Sequence, residues 1–374
     1  MPRIALFLAL AAHAAQPALD KTVLFEHGEG GHFSYRIPGI VVTRSGAILA
    51  YAEARRNDRS DWGATDLILR RSADRGKSWS APVVIGAMPE AFPKNPAAVA
   101  RKLGGGVTYN NPVAIADRSG AVHFLFCVEY MRVFYMRSTD DGRTFSKPVE
   151  ITSALEPLRA QTGWVVVATG PGHGIQLKNG RLVVPIWLSM GTGNSAHGDS
   201  VVSVLYSDDS GNSWHAGDLA VPNNSETVSP NETVAVELAR GRVMLNVRSL
   251  SKQQRRIVVY SQDGATHWSA PIFDEHLPDP VCFAGMARLD GHHLLFVNPD
   301  SGPGRDRKNL TVRLSPDDGK TWPVKRALQP GPSAYADLAV LPDRTILCFY
   351  EAGVANPYDT LTLARFNLEW LTNQ

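Results

Sequence analysis

The stretch HFSYRIPGI, residues 32–40, places Arg36 in the middle of an apolar segment that is typical of a β-strand. A guanidinium in such surroundings is unfavourable unless it meets an anion. Arginine is well suited to hold a carboxylate, because its guanidinium is planar, always charged and donates from a rigid fork of N–H groups. We therefore interpret Arg36 as part of a site that binds an anion.

Seven other residues lie, like Arg36, at the ends of predicted strands or in the loops beside them. They comprise three arginines, three carboxylic acids and a tyrosine, which are residue types that bind anions and move protons. These residues are Arg55, Asp61, Glu232, Arg248, Arg307, Tyr335 and Glu351. For each arginine taken alone, a surface ion pair is the simpler interpretation.

A short repeat identifies the elements that must position these residues. The pattern Ser-x-Asp-x-Gly-x-Ser/Thr-aromatic begins at Ser72, Ser138, Ser207 and Ser315, and a degenerate copy with a shifted glycine begins at Ser261. Its aspartate can accept hydrogen bonds from nearby backbone N–H groups and its glycine can adopt a positive φ, as in a hairpin turn. Calcium binding is the weaker interpretation, because a calcium loop needs further spaced acids that are absent.

Each copy of the repeat lies in a similar unit of four strands. In the first unit the strands are predicted at Ile37–Thr43, Ala47–Glu53 and Asp66–Arg71, and the fourth passes through Val83 and Val84. Four-stranded units that recur at this period are typical of propeller blades.

The number of blades follows from the length of the chain. Roughly 355 residues after the export signal, at about 55–60 residues per blade, give six blades. The sixth unit begins near Ala336 without an Asp turn, and the early strand Thr22–Glu26 can complete it and close the ring. The sequence therefore predicts an all-β protein, a six-bladed β-propeller of four-stranded antiparallel blades, in a single domain over residues 20–374.

This layout sorts the unusual residues by face. In an up-and-down blade, the start of strand one, the end of strand two and the start of strand three share one face, and the turn between strands three and four lies on the other. The Asp turns therefore cluster on one face, and all eight candidate residues lie on the opposite face. Their convergence favours one anion-binding site over separate surface ion pairs.

The N-terminal residues predict export. Arg3, the apolar run Ile4–Ala12 and the small-residue site Ala12-His13-Ala14 are typical of a signal peptide, which we place at residues 1–19. The apolar run is too short to span a bilayer. We therefore expect a secreted or periplasmic protein without a membrane span.

Composition narrows the classes of partner. The formal net charge is only +2, which gives no indication of nucleic-acid binding through bulk electrostatics.

Cys127, Cys282 and Cys348 lie far apart in apolar segments, and we interpret them as buried free thiols. No metal-ligand spacing is present in the sequence, so we expect no cofactor. We also expect the protein to be a monomer.

The motifs resemble those of a known family. Tyr35-Arg36-Ile37-Pro38 resembles the Arg-Ile-Pro motif of sialidases (exo-α-sialidases, or neuraminidases), and the repeated octapeptide resembles their Asp box. Unrelated propellers also carry Asp boxes, so the specificity comes from the combination with the Arg-Ile-Pro motif. The resemblance extends over nearly the whole mature chain. It implies a retaining hydrolase that removes terminal sialic acid from glycoproteins, glycolipids or oligosaccharides.

The resemblance also implies which residues bind the substrate's carboxylate. Arg36 in YRIP, Arg248 in MLNVRS and Arg307 before NLTVRLS match the arginine triad of sialidases. We prefer Arg307 to Arg313, because Arg313 falls inside the predicted strand, and Arg305 is a nearby rival.

The remaining candidates match other family positions. Asp61 in SDWGATDL resembles the acid/base aspartate, Tyr335 in SAYADL the nucleophile, and Glu232 in SPNETV its partner base. Arg55 in AEARR resembles a contact to the sugar O4, and Glu351 in CFYEAG resembles the acid that orients a triad arginine.

The chemistry of a sialoside suits these residue types. Its anomeric carbon bears a carboxylate, which would repel a carboxylate nucleophile but not a neutral tyrosine that Glu232 deprotonates during attack. Asp61 would protonate the leaving oxygen and then activate water. For this we expect a raised pKa of Asp61 in a closed, partly apolar pocket, with Trp62 as a candidate wall.

Three alternatives share parts of this pattern. A glycan-binding propeller without turnover would keep the arginines but lack Tyr335, Glu232 or Asp61. A propeller hydrolase of a neutral polysaccharide would need paired carboxylates and would have no use for clustered arginines. A trans-sialidase or intramolecular trans-sialidase would share the whole core site, so the sequence does not separate it from a hydrolase.

Overall fold

The computed structural model describes residues 16–103, 105–302 and 304–373. Most of the predicted signal peptide, residues 1–15, lies outside the described residues. The fold is all-β, with 45% strand and 7% helix. No helix in the described part of the chain is long and apolar enough to cross a membrane.

The strands of the described residues form five antiparallel sheets that follow one another along the chain, except that the first strand, β1 (Leu19–Glu26), joins the last sheet. Two four-stranded sheets come next, each in sequence order. The first contains β2 (Ser34–Val42), β3 (Ile48–Arg55), β4 (Thr65–Ser72) and β5 (Val83–Ile85). The second contains β6 (Tyr109–Ala116), β7 (Val122–Val128), β8 (Arg132–Ser138) and β9 (Val149–Glu150).

The third sheet has five strands because its first strand is interrupted. It contains β10 (Val166–Thr169), β11 (Ile175–Gln176), β12 (Leu182–Ser189), β13 (Ser200–Ser207) and β14 (His215–Ala216), and both β10 and β11 pair with β12. The fourth sheet contains β15 (Thr233–Glu237), β16 (Val243–Val247), β17 (Arg255–Ser261) and β18 (Ile272–Pro278). Three short α-helices of the described residues lie outside the sheets: α1 (Pro96–Ala100), α2 (Glu156–Thr162) and α3 (Leu368–Thr372).

The last sheet has seven strands and consists of two four-stranded groups that share one long strand. It contains β19 (Gly285–Arg288), β20 (Leu294–Pro299), β21 (Lys308–Ser315), β22 (Val324–Val340), β23 (Ile346–Ala352) and β24 (Thr360–Phe366), followed by β1. The first half of β22 pairs with β21 as far as Pro332, and its second half pairs with β23 from Ser333 onward. The predicted pairing of the early strand is confirmed, because β1 lies antiparallel to β24.

The Asp turns have the predicted hairpin geometry. In the first copy, Asp74 Oδ1 accepts hydrogen bonds from the backbone N–H of Ser78 at 2.9 Å and from Ser72 Oγ at 2.8 Å, and Gly76 has φ +79°. The other copies repeat this pattern, and in the degenerate one Thr266 supplies the N–H donor to Asp263. These hydrogen bonds show that the aspartates stabilise the turns. The described residues contain no cluster of acids, histidines or cysteines that could hold a metal ion.

Hydrophobic side chains fill the space between neighbouring sheets. Leu49 and Leu67 of the first sheet, for example, pack with Val122 and Phe124 of the second, and all four are buried. The three cysteines are free and buried, as expected. Burial of these side chains between the sheets contributes most of the stability of the fold.

Three sheets are tied together by an ion pair whose carboxylate is buried and whose imidazole is partly buried. Nδ1 of His173, in the loop between β10 and β11, lies 2.8 Å from Oδ1 of Asp337 in β22. Asp337 Oδ2 accepts a hydrogen bond from the backbone N–H of Ile40 in β2 at 3.0 Å. Burial lowers the pKa of His173, but the carboxylate of Asp337 outweighs it and raises the pKa above its ordinary value. Three sheets that are distant in sequence are thereby linked.

Loss of this link is expected to weaken the fold in a pH-dependent way. Replacing His173 by alanine should lower the free energy of unfolding by about 3 kcal/mol at pH 5.5, because Asp337 is left buried without its cation. Since the folded pKa of His173 is raised, its charge contributes fully below the unfolded value and is lost as pH rises through the folded pKa. Urea unfolding at pH 5.5 and pH 9 should therefore show a smaller penalty at pH 9.

A control for this prediction is the half-exposed histidine His276, whose ring lies 3.4 Å from Asp274. Replacing His276 by alanine should change the unfolding free energy by less than about 0.5 kcal/mol at either pH. Equal penalties for the two variants would show that the buried pair does not hold the sheets together.

Candidate active site

Arg36 reaches the site because the backbone of β2 is irregular at this point. The pairing of β2 with β3 shifts between Arg36 and Gly39, and Ile37 has φ +60°. A positive φ is unusual for a β-branched residue and persists only where the surroundings impose it. Glu351 does so, because its Oε1 accepts hydrogen bonds from the backbone N–H of Ile37 at 3.1 Å and from Arg36 Nε at 2.6 Å.

Tyr335, Glu232 and Arg248 form a connected group. The hydroxyl of Tyr335 donates a hydrogen bond to Glu232 Oε1 at 2.6 Å and accepts one from Arg248 Nη1 at 2.7 Å. Arg248 also forms an ion pair with the other oxygen of Glu232. Burial is the largest cause that raises the pKa of the Tyr335 hydroxyl; Arg248 opposes the rise and Glu232 adds to it. The phenol is therefore neutral at pH 7.

Arg307 is the third arginine of the group. Its Cζ lies 5.1 Å from the ring centroid of Tyr335, and its Nη2 donates a hydrogen bond to the carbonyl oxygen of Val281 at 2.7 Å. No carboxylate in the described part of the chain lies within salt-bridge distance of Arg307. Arg313 lies elsewhere, with its Nη2 2.7 Å from Asp300 Oδ2.

Asp61 and Arg55 lie on the other side of the site. Arg55 is buried, and its Nη2 contacts both Asp61 Oδ1 at 2.7 Å and Glu53 Oε2 at 2.8 Å. Burial would raise the pKa of Asp61, but the guanidinium of Arg55, together with His197 and Arg36, lowers it well below its ordinary value. The expected raised pKa of Asp61 is therefore wrong for this structure, and the cause is the neighbouring arginine.

These groups surround a cavity of ≈ 130 Å³. Six of the eight predicted residues line it, namely Arg36, Asp61, Glu232, Arg248, Arg307 and Tyr335. The other two do not line the cavity but contact residues that do: Arg55 contacts Asp61, and Glu351 contacts Arg36. The structure thus brings together residues from the first, fourth and last sheets.

The wall beside Asp61 differs from the prediction. Tyr130, Trp187 and His197 line the cavity, whereas Trp62 does not. The Trp62 ring is buried behind this wall, with its centroid 4.7 Å from that of His197 in a stacked arrangement and 4.6 Å from that of Tyr130. Trp62 therefore supports the wall, because its apolar ring packs inward while Asp61 beside it faces the cavity.

Asn111 also lines the cavity and was missed by the sequence analysis. A signal for it exists: Tyr109-Asn110-Asn111-Pro112 echoes Tyr35-Arg36-Ile37-Pro38 at the start of the next sheet. Both segments place a residue with positive φ before proline, and both shift the strand register there. In both, a glutamate at the end of a neighbouring strand accepts the strained N–H: Glu53 accepts from Asn111 at 2.9 Å.

The arrangement favours an anion. Arg307 has only neutral acceptors among the described residues, and the Nε of Arg248 is buried without any partner among them. Buried unpaired donors are rare in proteins and are usually satisfied by a ligand or water. A carboxylate placed among Arg36, Arg248 and Arg307 would satisfy them.

Comparison with known proteins defines the class to which this fold and site belong. The BNR repeat-like domain family matches residues 46–348. The chain belongs to this family, and among its members it belongs to the sialidases, which confirms the resemblance seen in the motifs.

Its relatives include sialidases of bacteria. The sialidase of Micromonospora viridifaciens is 31% identical over 384 residues, which cover 95% of this chain and 55% of the relative. A sialidase of Bacteroides fragilis is 27% identical and is matched over 88% of this chain and 62% of the relative. The chain thus spans little more than half of the length of these two relatives.

Solved structures show the same fold. The Hadza microbial sialidase Hz136 superposes with a TM-score of 0.77 at 24% identity, covering 94% of this chain and 69% of that one. This likeness supports the all-β architecture of antiparallel sheets.

Proposed function

We propose that the sheets form the six blades of a β-propeller in a single domain over residues 20–374. Two observations support this. The innermost strands of six strand groups contribute to one central cavity, which is lined by, among others, Ile40, Ile115, Ile175, Ala235, Met286 and Leu338. The pairing of β1 with β24 joins the beginning of the described chain to its end. The Asp turns and the candidate site would then lie on opposite faces.

We infer that the protein is a retaining exo-α-sialidase that hydrolyses terminal sialic acids of glycoproteins, glycolipids or oligosaccharides. The observation that carries this inference is the contact of Tyr335 with both Glu232 and Arg248 beside Arg307, which has no carboxylate partner among the described residues. The names of the relatives support it. The predicted signal peptide supports export of the protein to the periplasm or the medium.

Binding of the substrate would begin with its carboxylate. Arg36, Arg248 and Arg307 offer donors from three directions, and a carboxylate held by all three fixes the anomeric carbon that bears it. Because the carboxylate is attached to that carbon, the clamp positions the reacting bond as well as the sugar.

Tyr335 would attack the anomeric carbon. Its proton passes to Glu232 Oε1, which lies 2.6 Å away, as the bond from the phenolic oxygen to carbon forms and the bond to the leaving oxygen breaks. Arg248 contacts both partners and stabilises the charge that develops on the phenolic oxygen. Water then attacks the anomeric carbon from the face that the leaving group vacated, opposite Tyr335. The bond from carbon to the phenolic oxygen breaks and Glu232 returns the proton to that oxygen, so two inversions give retention.

Asp61 would donate the proton to the leaving oxygen and later accept one from water. In the free protein its pKa is too low for a proton donor at pH 7, because Arg55 holds the carboxylate. A sugar hydroxyl that accepts a hydrogen bond from Arg55 would weaken the contact of Arg55 with Asp61, and the sugar ring would exclude water from the cavity. Both changes would raise the pKa of Asp61. The substrate would thereby prepare its own acid catalyst.

The test is release of 4-methylumbelliferone from its α-sialoside. We expect turnover of the sialoside and none of the corresponding β-galactoside, which lacks the carboxylate for the arginines. Binding of sialic acid without turnover by the folded protein would favour the non-catalytic propeller. Cleavage of the galactoside would favour a hydrolase of neutral glycans. A 2,7-anhydro product would identify an intramolecular trans-sialidase.

A further inference from the structure

Tyr358 contacts two of the three clamp arginines from outside the cavity. Its ring centroid lies 4.2 Å from Cζ of Arg36, and its hydroxyl accepts a hydrogen bond from Arg307 Nη1 at 3.1 Å. A further arginine, Arg59, has its Cζ 5.9 Å from the same centroid. Tyr358 is not among the residues that line the cavity, so it acts on the arginines and not on the space where a ligand would lie.

The loop that carries Tyr358 is held in one conformation. Asp359 Oδ2 accepts a hydrogen bond from the N–H of Val354 at 3.0 Å, and its Oδ1 accepts one from Asn356 Nδ2 at 2.8 Å. A side chain at Gly353 would lie 1.9 Å from the carbonyl oxygen of Asn356, so only glycine fits there. The N–H of Tyr358 donates to Asn356 Oδ1 at 2.9 Å, which fixes the ring beside the arginines.

The chemical nature of Tyr358 matters for the charge of the clamp. Arg36 and Arg248 each contact a carboxylate, Glu351 and Glu232 respectively. Arg307 is instead held by a phenol and a backbone carbonyl. Neutral acceptors orient a guanidinium without neutralising it, so the positive charge stays available for a ligand.

We propose that Tyr358 is a positioning residue of the carboxylate clamp: its ring orients Arg36 by a cation–π contact, and its hydroxyl orients Arg307 while leaving its charge unpaired. This inference rests on the proposed sialidase function and extends it to a residue outside the cavity. A preorganised clamp binds the carboxylate equally in the ground state and the transition state, so its loss should raise KM more than it lowers kcat.

The experiment compares Tyr358→Phe and Tyr358→Ala with the wild-type protein. Phenylalanine keeps the ring over Arg36 and removes the hydrogen bond to Arg307, so KM for the α-sialoside should rise by about tenfold with kcat within about twofold. Alanine removes both contacts, and KM should rise by about fiftyfold. Tyr206, whose ring centroid lies 4.6 Å from Cζ of Arg181 away from the site, gives the matched control; Tyr206→Phe and Tyr206→Ala should leave both constants unchanged.

A second measurement separates orientation of the clamp from general disturbance of the site. Inhibition by free sialic acid and by its methyl ester, which lacks the charge, is compared in each variant. We expect affinity for the acid to fall by about tenfold in Tyr358→Phe and about fiftyfold in Tyr358→Ala, and affinity for the ester to change little in either variant. If thermal unfolding shows that the alanine variant does not fold, the role of Tyr358 is judged from the phenylalanine variant alone.

The outcomes distinguish the two claims. A wild-type protein that neither binds nor cleaves the sialoside would overturn the proposed function and this inference together. An active wild-type protein with variants that match it, or that lose acid and ester binding equally, would overturn the role of Tyr358 alone. A fall in kcat at unchanged KM would also overturn the role of Tyr358, because that pattern would show that Tyr358 stabilises the transition state and not the bound substrate.

Discussion

Tyr335→Phe is expected to lower kcat for an α-sialoside by at least about 10³-fold while KM changes by less than about threefold. The phenolic oxygen is the only atom removed, and it lies between Glu232 at 2.6 Å and Arg248 at 2.7 Å. Without the phenolic oxygen, Glu232 would have to attack the anomeric carbon itself. The carboxylate that this carbon carries would repel the carboxylate of Glu232. Steady-state hydrolysis with active-site titration measures the loss.

The control for this prediction is another buried tyrosine. Tyr350 in β23 is fully buried, and its hydroxyl donates a hydrogen bond to Gln329 Oε1 at 3.2 Å, away from the arginines. Tyr350→Phe should retain activity within about twofold. If Tyr335→Phe kept more than a tenth of the wild-type kcat, the nucleophile would have to be sought elsewhere.

The second large effect is expected at Asp61. Asp61→Asn should lower kcat/KM for a lactose-linked sialoside by about 10³-fold, because the leaving alcohol needs a proton. For an aryl sialoside with a good leaving group, which departs as an anion, kcat/KM should fall by less than about tenfold. The contrast between the two substrates is the measurement that assigns the acid.

The pH profiles of the wild-type protein test the same residue. A proton donor is active below its pKa, so activity on the lactose-linked substrate should fall as pH rises through the pKa of Asp61. The kcat/KM profile reports the free protein and the kcat profile reports the complex. Because Arg55 lowers the pKa of Asp61 in the free protein, the basic limb of kcat/KM should lie at lower pH than that of kcat.

Asp58 in the same loop provides the control for both measurements. Its Oδ1 accepts a hydrogen bond from the N–H of Ser60 at 2.7 Å, and an asparagine keeps this acceptor. Asp58→Asn should therefore leave the substrate contrast and the pH profiles unchanged. Equal losses of Asp61→Asn on both substrates would contradict the assignment of Asp61 as the acid.

Local sequence chemistry was sufficient to predict most of the strands. The Asp turn of Ser72, Asp74 and Gly76 is formed by contacts among neighbours in the chain, so its pattern is readable without the fold. The course of β22 is not local. The segment Pro330-Gly331-Pro332 is typical of a break between strands, yet it lies inside one strand, at the point where the pairing partner changes from β21 to β23.

The site was predictable where a residue conflicts with its own surroundings. Arg36 is an arginine in an apolar strand, and the conflict itself indicated a function. Tyr358 is a tyrosine in a polar loop, and nothing near it in sequence shows that it contacts Arg36 and Arg307. The pKa of Asp61 likewise depends on a distance to Arg55 that the loop fold sets, so its direction could not be predicted from residue type.

The central claim is that Tyr335 forms a bond to the anomeric carbon and that water then displaces Tyr335 from the opposite face, the one that the leaving group vacated. The most direct test is proton NMR of the first sugar released from the α-sialoside, recorded before the anomers equilibrate. Because two inversions give retention, the expected initial product is the α-anomer. Initial appearance of the β-anomer would show a single inversion and would contradict the role of Tyr335.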